Sequence, residues 1–94
     1  MNDTQEARDG ARERVRAAHD DSLTARGRLA GARQAAKAVM DGAEARGLEV
    51  PGWVAMVLAG AEARADVAYT AAIGEELEAA AGLVAAHRAS AVTQ

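Results

Sequence analysis

The sequence predicts an all-α fold: an antiparallel two-helix hairpin with an alanine-rich coiled-coil seam, which dimerises into a four-helix bundle. Two observations lead to this fold class. Alanine supplies 27 of the 94 residues, and alanine favours a helix more strongly than any other residue. A short break containing Gly47 and Pro51 separates two long segments in which uncharged residues recur at helical spacing. A loop this short makes the two helices antiparallel neighbours.

Local signals set the boundaries of the elements. Gly47 is the expected left-handed residue just past a helix end, and Leu48 can fold back on the last turn. Pro51 suits the first turn of the next helix, where its missing N–H is harmless. The predicted spans are a helix over about 3–46, a loop over 47–52, a helix over about 53–89 and a frayed tail over 90–94, all within one domain of 1–94.

The first helix carries one uncharged stripe with heptad spacing, while residues far from this stripe are mostly polar. The stripe consists of Ala11, Val15, Ala18, Ser22, Ala25, Leu29, Ala32, Ala36, Val39 and Ala43. The run Asp20-Asp21-Ser22 could end one helix and cap another. The unbroken spacing through Ser22 favours a single long helix instead.

The second helix is apolar on two faces. We expect the face with the larger side chains to form the seam: Trp53, Met56, Gly60, Ala63, Val67, Thr70, Gly74, Leu77, Ala81 and Val84. The opposite face is expected to be covered by another subunit, because a two-helix monomer cannot bury both: Leu58, Ala65, Ala72, Ala79 and Ala86. The alternative is that this face stays exposed and that its alanines are present because they favour a helical backbone. The large side chains of the predicted seam are Val15, Leu29, Val39, Met56, Val67, Leu77 and Val84.

Charges predict the register of the hairpin. If the bend centres near residue 51, the numbers of facing residues add up to roughly 102. The predicted neighbours are then Arg26 and Arg28 with Glu75, Glu76 and Glu78, and Lys37 with Glu62 and Asp66. Each exposed pair contributes only about 0–1 kcal/mol, so the charges select the register more than they stabilise the fold.

Few residues are candidates for chemistry. Ser22 and Ser90 stand in no nucleophile motif, and His19 and His87 match no metal-binding pattern. The chain has no cysteine and no phosphate-binding glycine loop. We therefore expect no catalytic residue, no cofactor, no metal and no small-molecule substrate. The longest apolar stretch, 50–61, is too short to span a bilayer, so we expect no membrane partner.

Binding to a macromolecule is the remaining option. A basic row near the open end of the hairpin has no acidic counterpart on the second helix, so it could contact phosphates or an acidic protein. Alternatively, this row is a solvent-exposed face whose charge is neutralised by nearby acidic residues of the same helix. The lone Trp53 either caps the core or anchors a partner. The candidate partner-binding residues are Arg8, Arg12, Arg14, Arg16, Trp53, Ala65 and Ala72.

A helical hairpin of this size with tryptophan at its bend is similar to the Trp-x-Gly hairpin proteins exported by type VII secretion. That resemblance implies dimers that form four-helix bundles and export without a cleaved signal. The sequence departs from the family's motifs, since Val54 and Ala55 follow Trp53 and Ile73 lies four residues after Tyr69. The resemblance therefore covers the architecture only.

Together these patterns predict a non-enzymatic helical interaction protein, a small assembly, adaptor or regulatory subunit that acts through its helix surfaces. We expect a cytoplasmic location, and as partners a second copy or a helical protein. One alternative is a nucleic-acid-associated regulator that uses the arginine-rich end. The other is a secreted hairpin without a signal peptide.

Overall fold

The computed structural model describes residues 3–93, and these residues form two helices. Helix α1 spans Asp3–Ala45 and helix α2 spans Gly52–Thr93. The predicted all-α, two-helix hairpin is confirmed. Helix α1 continues through Asp20, Asp21 and Ser22 without a break. Helix α2 continues to Thr93, beyond the end predicted at about residue 89, and Gln94 lies outside the described residues.

The bend closes helix α1 as the sequence predicts. Gly47 has a φ of 64°, in the left-handed region. The N–H of Leu48 donates to the carbonyl of Ala43 at 2.8 Å, and the N–H of Gly47 donates to that of Glu44 at 3.1 Å. These two bonds form a Schellman motif, which satisfies carbonyls left open at the helix end. The carbonyl of Pro51 accepts the first bonds of α2, so this proline precedes the first turn instead of lying in it.

Replacing Gly47 by alanine is expected to lower the free energy of unfolding by about 1–2 kcal/mol, because a Cβ disfavours positive φ. The matched control is Gly42→Ala in the last turns of α1, where an added Cβ meets open space. That variant should gain up to about 1 kcal/mol from helix propensity. Urea denaturation at one protein concentration measures both changes. Effects of the same sign at the two positions would contradict this account of the bend.

The chain divides into two compact units. The bend unit is Thr24–Thr70, and its least exposed apolar side chains are Ala25 and Leu29. The open-end unit combines the chain up to Leu23 with the chain from Ala71 onward. Its buried residues are mostly small: Ala11, Ser22, Ala72 and Ser90. Small buried residues let helix backbones approach closely, so packing relies on contact more than on large side chains.

The seam predicted for α1 is confirmed. Every stripe residue from Ala11 to Ala36 is buried or half-buried, and so is Ala43. Val39 is the exception among the large residues, since its side chain is 39% exposed. The polar residues between the stripe positions point to solvent, so the pattern of charge along α1 identifies its inner face.

The seam predicted for α2 is wrong, because the two faces of this helix are exchanged. Met56, Val67, Leu77 and Val84 are all exposed. The half-buried or buried positions are instead those of the opposite face, Leu58, Ala65, Ala72, Ala79 and Ala86. Alanines face α1 because α1 also presents mainly small residues, and two small faces pack at close distance. The larger side chains of α2 are left outside.

The register differs from the prediction by four to seven residues, which is one to two helical turns. Ser22 pairs with Glu76, and Arg33 pairs with Glu62, so facing residue numbers add up to 95–98. Lys37 pairs with Asp41 of its own helix and not with Glu62. The loop explains the shift, since it lies between Ala45 and Gly52 and is not centred on residue 51.

Candidate functional site

The outward side of α2 in the bend unit carries an exposed apolar stripe, which we call the outer α2 face. Its largest members are Trp53, Met56 and Val67, whose side chains are 70%, 76% and 70% exposed. Six residues at heptad spacing make up this face, and all of them except the half-buried Gly60 are exposed: Trp53, Met56, Gly60, Ala63, Val67 and Thr70. Val57 beside the stripe is also exposed. A continuous apolar surface of this kind marks an interaction site more often than scattered exposed residues do.

Trp53 lies on this surface and does not cap the core. Its role as an anchor for a partner stays a prediction. It follows the first residue of α2, so the helix start holds the indole at the bend. Tryptophan is enriched among the residues that dominate binding energy at interfaces. Its position next to Met56 and Val57 makes the bend end of the outer α2 face its most apolar part.

Ala65 and Ala72 were predicted to lie on a face open to a partner, and the structure places them on the inner side of α2. Ala65 is half-buried, and Ala72 is 9% exposed. A bulky or charged residue at Ala72 would therefore disturb the hairpin itself. The surface open to a partner is the outer α2 face, which the sequence pattern had assigned to the seam.

Two of the four arginines of the predicted basic row form contacts with carboxylates of their own helix. Arg12 lies 3.9 Å from Asp9, and Arg16 lies 3.4 Å from Glu13. Both contacts join exposed side chains one helical turn apart on α1. They contribute little to stability, but they reduce the positive potential that a phosphate would meet.

The other two arginines of the row differ in their surroundings. The guanidinium of Arg14 folds back over Gly10, and Arg14 shares an open groove with Asp21, Glu75 and Glu78. The Nε atom of Arg8 is buried and has no hydrogen-bond partner within the described part of the chain. The row therefore does not present four free cations to a ligand.

A polar cluster that the sequence pattern did not reveal joins the two helices of the open-end unit. The Ser22 hydroxyl lies 2.5 Å from Oε1 of Glu76 and 2.9 Å from the carbonyl oxygen of His19. Nδ1 of His19 donates to the other oxygen, Oε2, of Glu76 at 3.3 Å. Ser22 is buried, whereas Glu76 is partly exposed and His19 is mostly exposed. The only sequence signal was the serine within an otherwise apolar stripe.

The environment of this cluster changes the ionisation of one member. The hydrogen bond from Ser22 is the main cause that lowers the pKa of Glu76 below its ordinary value, and the hydrogen bond from His19 adds to it. Desolvation opposes the shift only in part. The carboxylate is thus held in its charged form as an acceptor between two donors. This arrangement suits a structural cross-link between the helices and not a nucleophile, since the serine is buried and donates to a carboxylate.

Two further features are absent from the described residues. Neither helix has a stretch long and apolar enough to cross a membrane. No group of three or more His, Cys, Asp or Glu side chains between residues 3 and 93 is arranged to hold a metal ion. His19 and His87 are both exposed, and His19 pairs with Glu76.

Comparison with known proteins returned no match: no family model, no curated protein and no solved structure is significantly similar to this chain.

Proposed function

We propose that this chain is a non-enzymatic helical interaction protein, a small assembly or adaptor subunit that binds another helical surface through its outer α2 face. The observation that carries the proposal is the exposure of Trp53, Met56 and Val67 on one side of one helix. Burying apolar surface is favourable by roughly 25 cal/mol for each Å², and these exposed side chains do not gain this free energy in the hairpin. Covering them would recover this free energy on binding.

The total exposed surface supports the same proposal. A compact monomer of 9.6 kDa is expected to expose about 5,100 Å². The hairpin exposes 6886 Å², an excess of roughly 1,800 Å². A standard protein–protein interface buries about 800 Å² on each partner. The surplus belongs to the whole chain, so the hairpin has surface to spare for an interface, and the exposed side chains of the outer α2 face indicate where.

The polar groups support a role without catalysis. Ser22, the serine that faces the seam, is buried and hydrogen-bonded to Glu76, so its hydroxyl is not available to attack a substrate. Nucleic-acid binding through Arg8, Arg12, Arg14 and Arg16 has less support than protein binding. The carboxylates beside Arg12 and Arg16 would repel phosphates. A cytoplasmic place of action stays a prediction from the sequence.

The test is to place charges on the outer α2 face. The double variant Met56→Glu/Val67→Glu should fold normally, because both side chains are exposed in the hairpin, and should bind its partner at least about tenfold more weakly. The control is Gln34→Glu, an exposed position of α1. Tagged full chains are compared in their native cells by quantitative affinity purification, with circular dichroism to verify folding.

Two outcomes are informative here. We expect the wild type and the Gln34→Glu control to retain proteins that the double variant loses. These can be other proteins or untagged copies of the chain. Identical sets of retained proteins for all three chains would overturn the proposed role of the outer α2 face.

A further inference from the structure

We propose that the hydrogen bond between Ser22 and Glu76 selects which face of α2 packs on α1 in the open-end unit. While this bond is formed, Leu77 and Val84 stay on the outside of the hairpin. Without it, α2 turns about its own axis by about half a turn and packs those two side chains against α1. The inference is independent of the proposed function, because it concerns contacts within one chain and requires no partner.

The polarity of the two α2 faces in this unit is the first support. The inner face contains a carboxylate, and its residues are buried or half-buried: Ala72, Glu76, Ala79, Leu83 and Ala86. The outer face over the same stretch is uncharged and exposed: Gly74, Leu77, Ala81 and Val84. Burying a carboxylate costs free energy unless it is hydrogen-bonded. Apolar burial alone would therefore turn the uncharged face toward α1, and the structure shows the opposite choice.

The sizes of the side chains do not explain this choice in the open-end unit. Leu83 lies among alanines on the inner face, while Leu77 and Val84 lie with Gly74 and Ala81 on the outer face. Both faces therefore combine small and large residues, and both permit a close approach of the two helices. A specific contact is needed to separate two faces that pack so similarly.

The contact between Ser22 and Glu76 supplies that distinction. Ser22 is 4% exposed, and its hydroxyl lies 2.5 Å from Oε1 of Glu76, while Nδ1 of His19 lies 3.3 Å from Oε2. Both carboxylate oxygens thus have a partner on α1. If α2 turned by half a turn, Gly74 and Leu77 would lie opposite Ser22, and neither side chain can accept its hydrogen bond. A buried polar contact of this kind can specify one packing among several similar ones.

The charge of Glu76 strengthens the preference. The hydrogen bonds from Ser22 and His19 lower the pKa of this carboxyl, so the acceptor is ionised at neutral pH. A hydrogen bond to an ionised acceptor is roughly twice as strong as one between neutral groups. The observed packing therefore gains one strong bond that the turned packing lacks.

The turned packing is nevertheless accessible, because it leaves neither polar group buried and unpaired. The carbonyl oxygen of His19 lies 2.9 Å from the Ser22 hydroxyl and can accept its proton when Glu76 is absent. Glu76 would then lie on the outside, where water hydrates its carboxylate. The two arrangements differ mainly by one strong hydrogen bond on one side and by the burial of Leu77 and Val84 on the other. A change at a single residue is enough to shift such a balance.

Disulfide trapping within one chain reports which face packs inward, and the chain has no cysteine of its own to interfere. Ala18→Cys on α1 is combined with Ala79→Cys on the inner face or with Leu77→Cys on the outer face. Ala18 and Ala79 line the same groove, so the inner pair is placed to form a disulfide. The full chains are oxidised at low concentration, the remaining thiols are alkylated, and intact mass gives the initial rate of cross-linking within the monomer.

Both cysteine pairs are then placed in three further backgrounds. Glu76→Ala and Ser22→Ala break the proposed contact from either side, so the result does not depend on one substitution. Glu75→Ala is the matched control, since it removes a neighbouring carboxylate from an exposed position of α2. Circular dichroism verifies that each chain remains helical.

In the otherwise unchanged chain and in Glu75→Ala, the inner pair should form at least about tenfold faster than the outer pair. In Glu76→Ala and Ser22→Ala this ratio should fall at least about tenfold, because a hydrogen bond to a charged group contributes that much to an equilibrium. An unchanged ratio in both variants, with full helix content, would overturn the proposal. Loss of helix with similar rates for both pairs would also overturn it, since the bond would then hold the helices together without selecting a face.

Discussion

Replacing Leu29 by alanine is expected to lower the free energy of unfolding by about 2–3 kcal/mol, near the lower end of the cost of such a change in a core. Leu29 is 4% exposed, and the other buried apolar residues in the described part of the chain are alanines. Native proteins are typically stable by only about 5–15 kcal/mol, so one such loss removes a substantial part of the total. Circular dichroism during urea denaturation measures it.

The matched control is Leu23→Ala, the same change six residues earlier on the same helix. Leu23 is 49% exposed, so its truncation should change the free energy of unfolding by about 0.5 kcal/mol or less. Both variants are compared with the wild type at one protein concentration, because association would otherwise add to the apparent stability. Equal losses for the two leucines would mean that Leu29 is not the central contact of the bend unit.

Leu29 also illustrates what the sequence could predict. On α1 the uncharged stripe is flanked by polar residues. The helical spacing of the stripe and the polarity of its neighbours therefore indicate the same inner face. The positive φ of Gly47 likewise follows from a glycine placed just before a proline-containing loop. These signals are local, and a short window of sequence contains all the information that they need.

The inner face of α2 could not be predicted in the same way. Both faces of this helix are apolar, so the helical period of its apolar residues leaves two candidates for the inner face. Choosing the face with the larger side chains gives the wrong one. Met56 and Val67 are larger than Ala65 and Ala72, yet the alanines face α1. The choice depends on the close approach of two backbones, which is a property of the pair of helices and not of either segment. The exchange leaves the larger side chains outside and is the origin of the outer α2 face.

The register and the polar cluster depend on the same pairing. A shift of one to two helical turns separates the predicted neighbours of Glu76, which were Arg26 and Arg28, from the observed ones, Ser22 and His19. Ala45 and Gly52 define where the helices stop and start, and only their positions settle which residues meet. Sequence reasoning could therefore propose the hairpin but not the contacts across it.

Acid is expected to weaken the hairpin through Glu76. The hydrogen bonds from Ser22 and His19 lower the pKa of this carboxyl in the folded chain. A carboxyl whose folded pKa is lowered stabilises the fold fully above its unfolded pKa of about 4.3, and this stability is lost as the pH falls through the folded pKa. The wild type should therefore lose thermal stability below about pH 4.3, beyond the loss common to all its acidic groups.

Glu76→Gln isolates this contribution, because the amide keeps the shape of the side chain and removes the ionisation. At pH 6 the variant should melt at a lower temperature than the wild type, since a charged acceptor binds the Ser22 hydroxyl more strongly than a neutral one. As the pH falls to 3, the difference between the two melting temperatures should shrink, because the wild-type carboxyl becomes neutral as well.

The adjacent variant, Glu75→Gln, supplies the control, since it removes the same charge from an exposed position of α2. Its melting temperature should follow that of the wild type across the whole pH range, apart from a constant offset. If the Glu76→Gln and Glu75→Gln profiles run parallel, the bond between Ser22 and Glu76 contributes nothing that depends on the carboxylate charge. If only the Glu76→Gln profile converges with that of the wild type in acid, the charge of Glu76 stabilises the fold through its bonds to Ser22 and His19.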